Sequence, residues 1–407
     1  MEKNDKFLKF PEGFLWGTAT AAHQIEGNNK NDWSEWERSE ARMQKLEARS
    51  LKAEDFISGL ACDSYNLWEK DLDLVKELNC NAYRFSLEWS RIEPEEGQWN
   101  MSEMEHYKKI LISMKERGIK PFVALWHWTN PVWVARHGGW ADKKVVDYFS
   151  RFTEKVVVEL GDYVDFWVTL NEPLMHIAHG YWTGKFPPGK KLDLIGSFKV
   201  FNNLAEAHKA SYGIIHKKFP GAQVSVAMTN GYFSAAHKNN IIEKSIVKAC
   251  NFLRNEWFIK KISGSYDYLG INYYHHDRIV WYPPFKKNLN EKISDFGWEI
   301  YPEGIYHVLK NYQKHEKPLY VLENGIADRE DKYRKGFILD HLKYVHKAIT
   351  EGADVRGYFY WSLLDNFEWA EGYTMKFGLY AVDRDTCHRT KRPSADAYGE
   401  ICKNNGF

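Results

Sequence analysis

The sequence predicts an α/β fold, a (β/α)8 barrel formed as a single domain over residues 1–407. Three observations predict it. Eight short apolar or β-branched runs recur along the chain with helical periodicity between them, the pattern of right-handed βαβ units. Runs such as Phe122-Val123-Ala124-Leu125 and Phe359-Tyr360-Trp361 lack polar alternation, as parallel strands buried on both faces do. No Gly-x-Gly occurs anywhere, so the dinucleotide fingerprint of the competing architecture, a doubly wound open sheet, is missing.

The predicted strands are, in order, 14–22, 82–89, 120–128, 166–172, 223–230, 266–274, 319–325 and 356–365. Between the second and third, Ser102-x-x-Glu105 reads as a capping box that opens a helix. Met104, Tyr107, Leu111 and Met114 form its buried stripe, and Gly118 stops it. Before the last strand, Ile338, Leu342, Val345 and Ile349 repeat the pattern and Gly352 closes it. Residues 184–191 and 281–290 read as long surface loops rather than linkers.

Composition narrows the function. Hydrophobic residues at 44% and charged residues at 27% supply a sizeable core and exclude disorder and collagen. The 56 basic and 55 acidic residues leave a formal charge of +1, so no single-sign field is expected to track nucleic acid or an anionic membrane. No apolar run reaches the roughly 18 residues of a membrane helix. Met1-Glu2-Lys3-Asn4-Asp5-Lys6 lacks the apolar stretch of a signal peptide, and a cytoplasmic protein is expected. Five scattered cysteines with no Cys-x-x-Cys read as reduced fillers. A phosphate-binding loop, a Gly-x-Ser-x-Gly elbow and a His-Glu-x-x-His zinc helix are all missing. The chain is rich in aromatics, with 17 Trp, 24 Tyr and 23 Phe; indoles stack on sugar faces, although most are packed in cores.

Active sites of such barrels gather at the C-terminal ends of the strands. Those ends are polar or aromatic here: Gln24, Arg84, Glu88, His127, Trp128, Asn171, Glu172, Asn272, Tyr274, Glu323, Trp361 and Asp365. Glu172 and Glu323 each follow an apolar strand directly, on the fourth and seventh, where they would face each other across the mouth. Paired carboxylates are what glycosidic cleavage needs, one to protonate the leaving oxygen and one to attack or to activate water. From position alone the alternative, helix caps or partners of Arg, stays open.

Five long motifs add a resemblance. Phe14-Leu15-Trp16-Gly17-Thr18-Ala19-Thr20-Ala21-Ala22-His23-Gln24-Ile25-Glu26-Gly27, Tyr83-Arg84-Phe85-Ser86-Leu87-Glu88-Trp89-Ser90-Arg91, Thr169-Leu170-Asn171-Glu172-Pro173, Leu322-Glu323-Asn324-Gly325 and Trp361-Ser362-Leu363-Leu364-Asp365-Asn366-Phe367-Glu368-Trp369 resemble, in order, those of glycoside hydrolase family 1, the retaining β-glucosidases and their relatives. The resemblance implies a two-step retaining mechanism with Glu323 as nucleophile and Glu172 as acid/base, their carboxyls about 5–5.5 Å apart. Arg84 and Tyr274 match the positions that hold the nucleophile charged. Gln24, His127, Trp128, Asn171, Glu368 and Trp369 match the sugar-binding ring, with Asn171 at the 2-hydroxyl, Gln24 and Glu368 at the outer hydroxyls, and Trp361 as the stacking floor. The implied substrate is a small β-glycoside or short oligosaccharide with terminal β-D-glucosyl units, galactosyl and fucosyl units being compatible, and neither cofactor nor metal is required.

Alternatives on the same scaffold are a 6-phospho-β-glycosidase, a transglycosylase and a catalytically silent sugar binder. The intact Glu368-Trp369 pair speaks against the first, although Lys376 lies nearby in sequence, and both carboxylates speak against the last. The His176/His179 and His275-His276 pairs lack the carboxylate spacing of a metal site. Leu322 stands where the family usually has Thr and Leu174 where many members have Trp; the latter removes an aglycone-stacking surface. Residues 231–265 are expected to form compact loops beside an open cleft.

Overall fold

Parallel strands covered by helices on their outer side must be apolar on both faces, and β1 (Leu15–Ala19), β2 (Ala82–Ser86), β3 (Lys120–Ala124), β4 (Phe166–Asn171), β5 (Gln223–Ala235), β6 (Leu269–Ile279), β7 (Leu319–Asn324) and β8 (Val355–Trp361) meet that condition over most of their length. In the computed structural model, which describes residues 7–407, they close into a barrel in chain order, β8 returning to β1. Every neighbouring pair is parallel. All eight predicted strands are present. The predicted ends of β1, β2, β3 and β8 overshoot, because residues 20–22, 87–89, 125–128 and 362–365 leave the ladder and turn over the rim.

The barrel interior is filled by rings rather than by the branched aliphatics usual in such barrels. Phe122 and Phe166 stack at 4.2 Å, and Phe359 and Tyr320 close on Phe122 at 4.7 and 5.5 Å. Six indoles, those of Trp16, Trp33, Trp89, Trp126, Trp140 and Trp167, are fully buried. Much of the aromatic excess is therefore packing.

Two expectations are corrected, and one element is new. The helix Met101–Glu116 is capped by Asn100, whose Oδ1 accepts from the Ser102 backbone N–H at 3.2 Å and from its hydroxyl at 2.6 Å, so Ser102 belongs to the first turn. Residues 231–265 are not compact loops. β5 and β6 continue pairing past a register shift, from Tyr232 opposite His276 to Ala235 opposite Ile279, and rise above the rim as a ribbon. A helix, Ile241–Asn251, follows, then a π-turn over Phe252–Glu256 and the helix Trp257–Lys261. Outside the barrel, β9 (Tyr380–Val382) and β10 (Arg389–Lys391) form an unpredicted antiparallel pair, too short to show a period in sequence.

The helix Arg334–Thr350 and the stops at Gly118 (φ 68°) and Gly352 (φ 91°) are as predicted. The loops 184–191 and 281–290 lie over the surface. All five cysteines are free thiols, and the fold brings Sγ of Cys80 and Cys402 to 3.9 Å. Among the described residues no helix is long and apolar enough to cross a membrane.

Candidate active site

The strand ends converge on a cleft of about 610 Å³ at the C-terminal mouth of the barrel. Glu172 and Glu323 both line it, together with His127, Trp128, Tyr274, Trp361, Glu368 and Trp369. Gln24, Arg84 and Asn171 do not line the cleft. They are buried beneath it and reach the lining through hydrogen bonds.

Glu323 ends β7 with both carboxylate oxygens engaged. Arg84, at the middle of β2 and without solvent exposure, pairs with Oε1 through Nη1. The Tyr274 hydroxyl, from β6, donates to Oε2 at 2.6 Å. Burial and the Glu323 charge push the Tyr274 phenol well above its ordinary range, so it stays a donor. The second arm of Arg84 donates from Nη2 to Oδ1 of Asn171 at 2.6 Å, which ties the carboxylate of β7 to the end of β4.

Glu172 has a different setting. It follows β4 in a left-handed conformation (φ 45°) and leads into the helix Pro173–Ile177, where Pro173 occupies the first turn. Its backbone N–H donates to Ala227 of β5 at 2.8 Å, which fixes the turn. Asn272 donates from Nδ2 to Oε1 of Glu172 at 2.8 Å. Burial, reinforced by the charge on Glu323, pushes the Glu172 carboxyl up to about 7. The two glutamates thus sit in different settings, one bonded at both oxygens by Arg84 and Tyr274, the other buried with one amide donor. Trp128 (φ 72°) and Trp369 (φ 50°) share the left-handed conformation, which costs a non-glycine residue about 1 kcal/mol and is typical of over-determined functional sites.

Around the carboxylates runs a ring of polar groups with spare valences. His127 Nε2 accepts from the Asn171 amide at 2.9 Å, which leaves the proton on Nδ1, and that buried N–H has no partner. Burial and the nearby Arg84 push His127 well below its ordinary value, so the ring is neutral. Gln24 gives its amide N–H to Phe367 O at 2.8 Å and reaches Glu368 at 3.4 Å, and its buried Oε1 is unpartnered. Burial, with the Glu323 charge, pushes Glu368 up to about 8. Trp369 lies parallel to His127 at 5.7 Å and meets Trp128 at 4.8 Å.

The comparisons with known proteins agree with this geometry. The model of glycosyl hydrolase family 1 matches residues 7–267 and 231–407. The chain belongs to glycosyl hydrolase family 1. It is 32% identical to β-glucosidase A of Thermotoga maritima, across 98% of this chain and 99% of that one. A solved structure of a β-glucosidase from Thermotoga maritima in complex with glucoimidazole superimposes with a TM-score of 0.90 at 31% identity, covering 98% of this chain and all of the other. A β-glycosidase from Pyrococcus horikoshii is 38% identical with a TM-score of 0.89, over 98% and 96% of the two chains.

Within this family 1 chain several lining residues escaped the sequence reading. Arg254 stands on the π-turn after β5 and lines the cleft; Glu172 is the charge that acts on it most strongly, and among the described residues it forms no ion pair within bonding distance. Met175, Phe233, Phe296 and Trp298 wall the outer cleft, and Leu174 does not line it. Asn272 was visible as a strand end, yet nothing in its spacing says that it reaches Glu172. Leu322 is fully buried and packs over Gly270 of β6, outside the cleft lining, so its departure from the family pattern does not touch the site. His276 bonds Glu299 at 2.9 Å and Ser234 at 2.8 Å, while His176 is buried against Trp126.

Proposed function

We propose that this chain is a retaining, exo-acting β-glucosidase, with Glu323 as nucleophile and Glu172 as acid/base. One observation carries the reading: two carboxyls share one cleft, one with both oxygens bonded by Arg84 and Tyr274, the other raised to about 7.

A glucosyl unit enters with its polar edge toward Gln24, His127, Glu368 and Trp369 and its face over Trp361. An Oε of Glu323 attacks the anomeric carbon while Glu172 gives its proton to the departing glycosidic oxygen, so the aglycone leaves as a neutral alcohol. Esterification removes the charge of Glu323. With that repulsion gone, the pKa of Glu172 falls, and it takes a proton from water as the oxygen attacks the same carbon from the opposite face and the bond from that carbon to Glu323 breaks, returning the free carboxylate. Two inversions return the β-anomer. Asn171, beneath the cleft, orients His127 through its amide, and Arg84 fixes Asn171 and Glu323 relative to each other.

The substrate is an unphosphorylated β-glucoside or short gluco-oligosaccharide, galactosyl and fucosyl units fitting the same ring. Met375 and Phe377 line the cleft while Lys376 between them does not, which weakens a phosphate-binding role for that lysine. The whole of residues 1–407 acts as one catalytic domain, in the cytoplasm and without a cofactor. The deciding experiment is a proton NMR time course on an aryl β-glucoside. Early β-glucose from the wild type, lost in Glu323→Ala, supports the reading; α-glucose first, or full activity of the variant, overturns it.

A further inference from the structure

Of the eighteen large apolar side chains exposed among the described residues, fourteen fall in three segments, 182–198, 241–253 and 281–293. These segments follow β4, β5 and β6, three consecutive strands, so all of them rise from one side of the same C-terminal rim. They are joined to each other. Trp182 donates from its indole to Ser197 at 2.7 Å, holding the first loop on the start of the helix Leu194–Lys218. That helix packs on Trp257–Lys261 through a Phe201–Trp257 stack at 4.0 Å, and Ile241–Asn251 packs on both β5 and β6.

The exposure is far from marginal: Leu192 is 81% exposed, Ile241 78%, Ile195 76% and Phe198 63%. Monomer surfaces seldom carry apolar groups clustered in this way unless something covers them. What covers them is indicated by the charge beside them. Residues 182–199, 237–253 and 281–293 contain ten lysines, all exposed, and only three carboxylates, in a chain whose formal charge is +1 overall. One of those carboxylates, Glu243, is buried against His237 at 2.8 Å. The even overall balance therefore conceals a rim that is strongly basic and apolar together. A second copy applied face to face would bring like charges together. A nucleic acid has no use for isoleucine and leucine tips. Exposed Trp and Tyr, here Trp182, Trp281 and Tyr282, favour the boundary between headgroups and acyl chains, and lysines pair with anionic headgroups.

We infer that this rim is a docking surface for an anionic lipid bilayer, with the apolar tips entering the headgroup boundary and the lysines facing the lipid charges. The mode is peripheral, in keeping with the lack of a spanning helix among the described residues. The cleft opens within the same face of the barrel, so docking turns the mouth toward the lipid surface. The inference does not depend on the proposed chemistry, since binding is read without turnover.

The test is co-sedimentation of the full chain with vesicles of phosphatidylcholine, with and without phosphatidylglycerol. Binding to the anionic vesicles is expected, weakened by added salt and by about fivefold for each of Lys190→Gln and Lys191→Gln. Ile195→Ser with Phe198→Ser is expected to abolish it. None of these residues touches the candidate site, and an unchanged melting temperature by circular dichroism reports that each variant is folded. Failure of the folded protein to sediment with anionic vesicles overturns the inference, as does binding indifferent to the lysines. A stable dimer by light scattering, dissociated by the serine substitutions, assigns the face to a second copy instead.

Discussion

Asn272 of β6 reaches past β5 to donate to Glu172 at the end of β4, Nδ2 to Oε1 at 2.8 Å, and the same nitrogen stands 3.2 Å from Asn171. The bond favours the charged form of Glu172 and opposes burial, the larger influence, which holds that carboxyl up at about 7. Removing the donor must raise it further. In Asn272→Ala the acid form persists to higher pH, and the alkaline limb of kcat/KM moves upward. A fall of roughly tenfold at the optimum accompanies it, the cost of one lost hydrogen bond to a charged group. An alkaline limb that stays in place would mean that Asn272 does not govern the proton on Glu172.

Arg254 acts on the same carboxyl in the same sense, as a cation whose charge draws Glu172 down. Arg254→Met is therefore expected to shift the alkaline limb upward as well, while Arg254→Lys keeps most of the wild-type profile. Titration of the initial rate against pH for the three proteins checks both.

Neutralising Glu323 has the opposite sign. Its charge is the second cause, after burial, of the raised Glu172 value. In Glu323→Gln, Glu172 should titrate below about 7, read by carbon NMR of labelled glutamate. This substitution mimics the charge that the proposed glycosyl-enzyme would carry, and in the proposed mechanism the same shift turns Glu172 from acid to base between the two steps.

What the sequence reveals of this arrangement depends on how local each signal is. β4 and β7 announce themselves as apolar runs, and a carboxylate at the end of each is visible without knowing what faces it. The extension of β5 through Tyr232 and Phe233 is half-buried on a ribbon above the barrel, so it carries neither the continuous apolar run nor the alternation that identifies a strand. Arg254 sits on a π-turn, and one basic residue after Phe252-Leu253 gives no period to read. Asn100 and Ser102 are both good helix caps, and only the fold decides between them.

Glu368 supplies a stability test. Burial and neighbouring carboxylates raise it from 4.5 to about 8 in the folded chain. The folded state therefore binds more protons than the unfolded state between these values. The stability associated with neutral Glu368 is complete below the unfolded value and is lost as pH rises through about 8. Glu368→Gln removes that loss. Its melting temperature relative to wild type should rise between acidic and mildly alkaline buffer by about 2 °C or more, measured by scanning calorimetry. A difference independent of pH would show that Glu368 is already ionised in the folded state.

His127 and Gln24 are complementary in what they leave unpaired. His127 is neutral with a free Nδ1–H, a donor, and Gln24 offers a free Oε1, an acceptor, and both atoms are buried without partners. A buried polar atom left unpaired costs about 1–3 kcal/mol, so a ligand that supplies the missing partner recovers that energy. His127→Phe and Gln24→Leu remove the unpaired atom while keeping bulk, and each should lower kcat/KM on an aryl β-glucoside by about 10- to 100-fold. Monodeoxy aryl glucosides then map the contacts. For each variant one deoxy position should show almost no further loss, because the hydroxyl that met the missing atom is already gone. Equal penalties at every position would mean that neither atom touches the sugar. Nitrogen NMR of His127 provides an independent check, with the proton on Nδ1 and no titration across the working pH range.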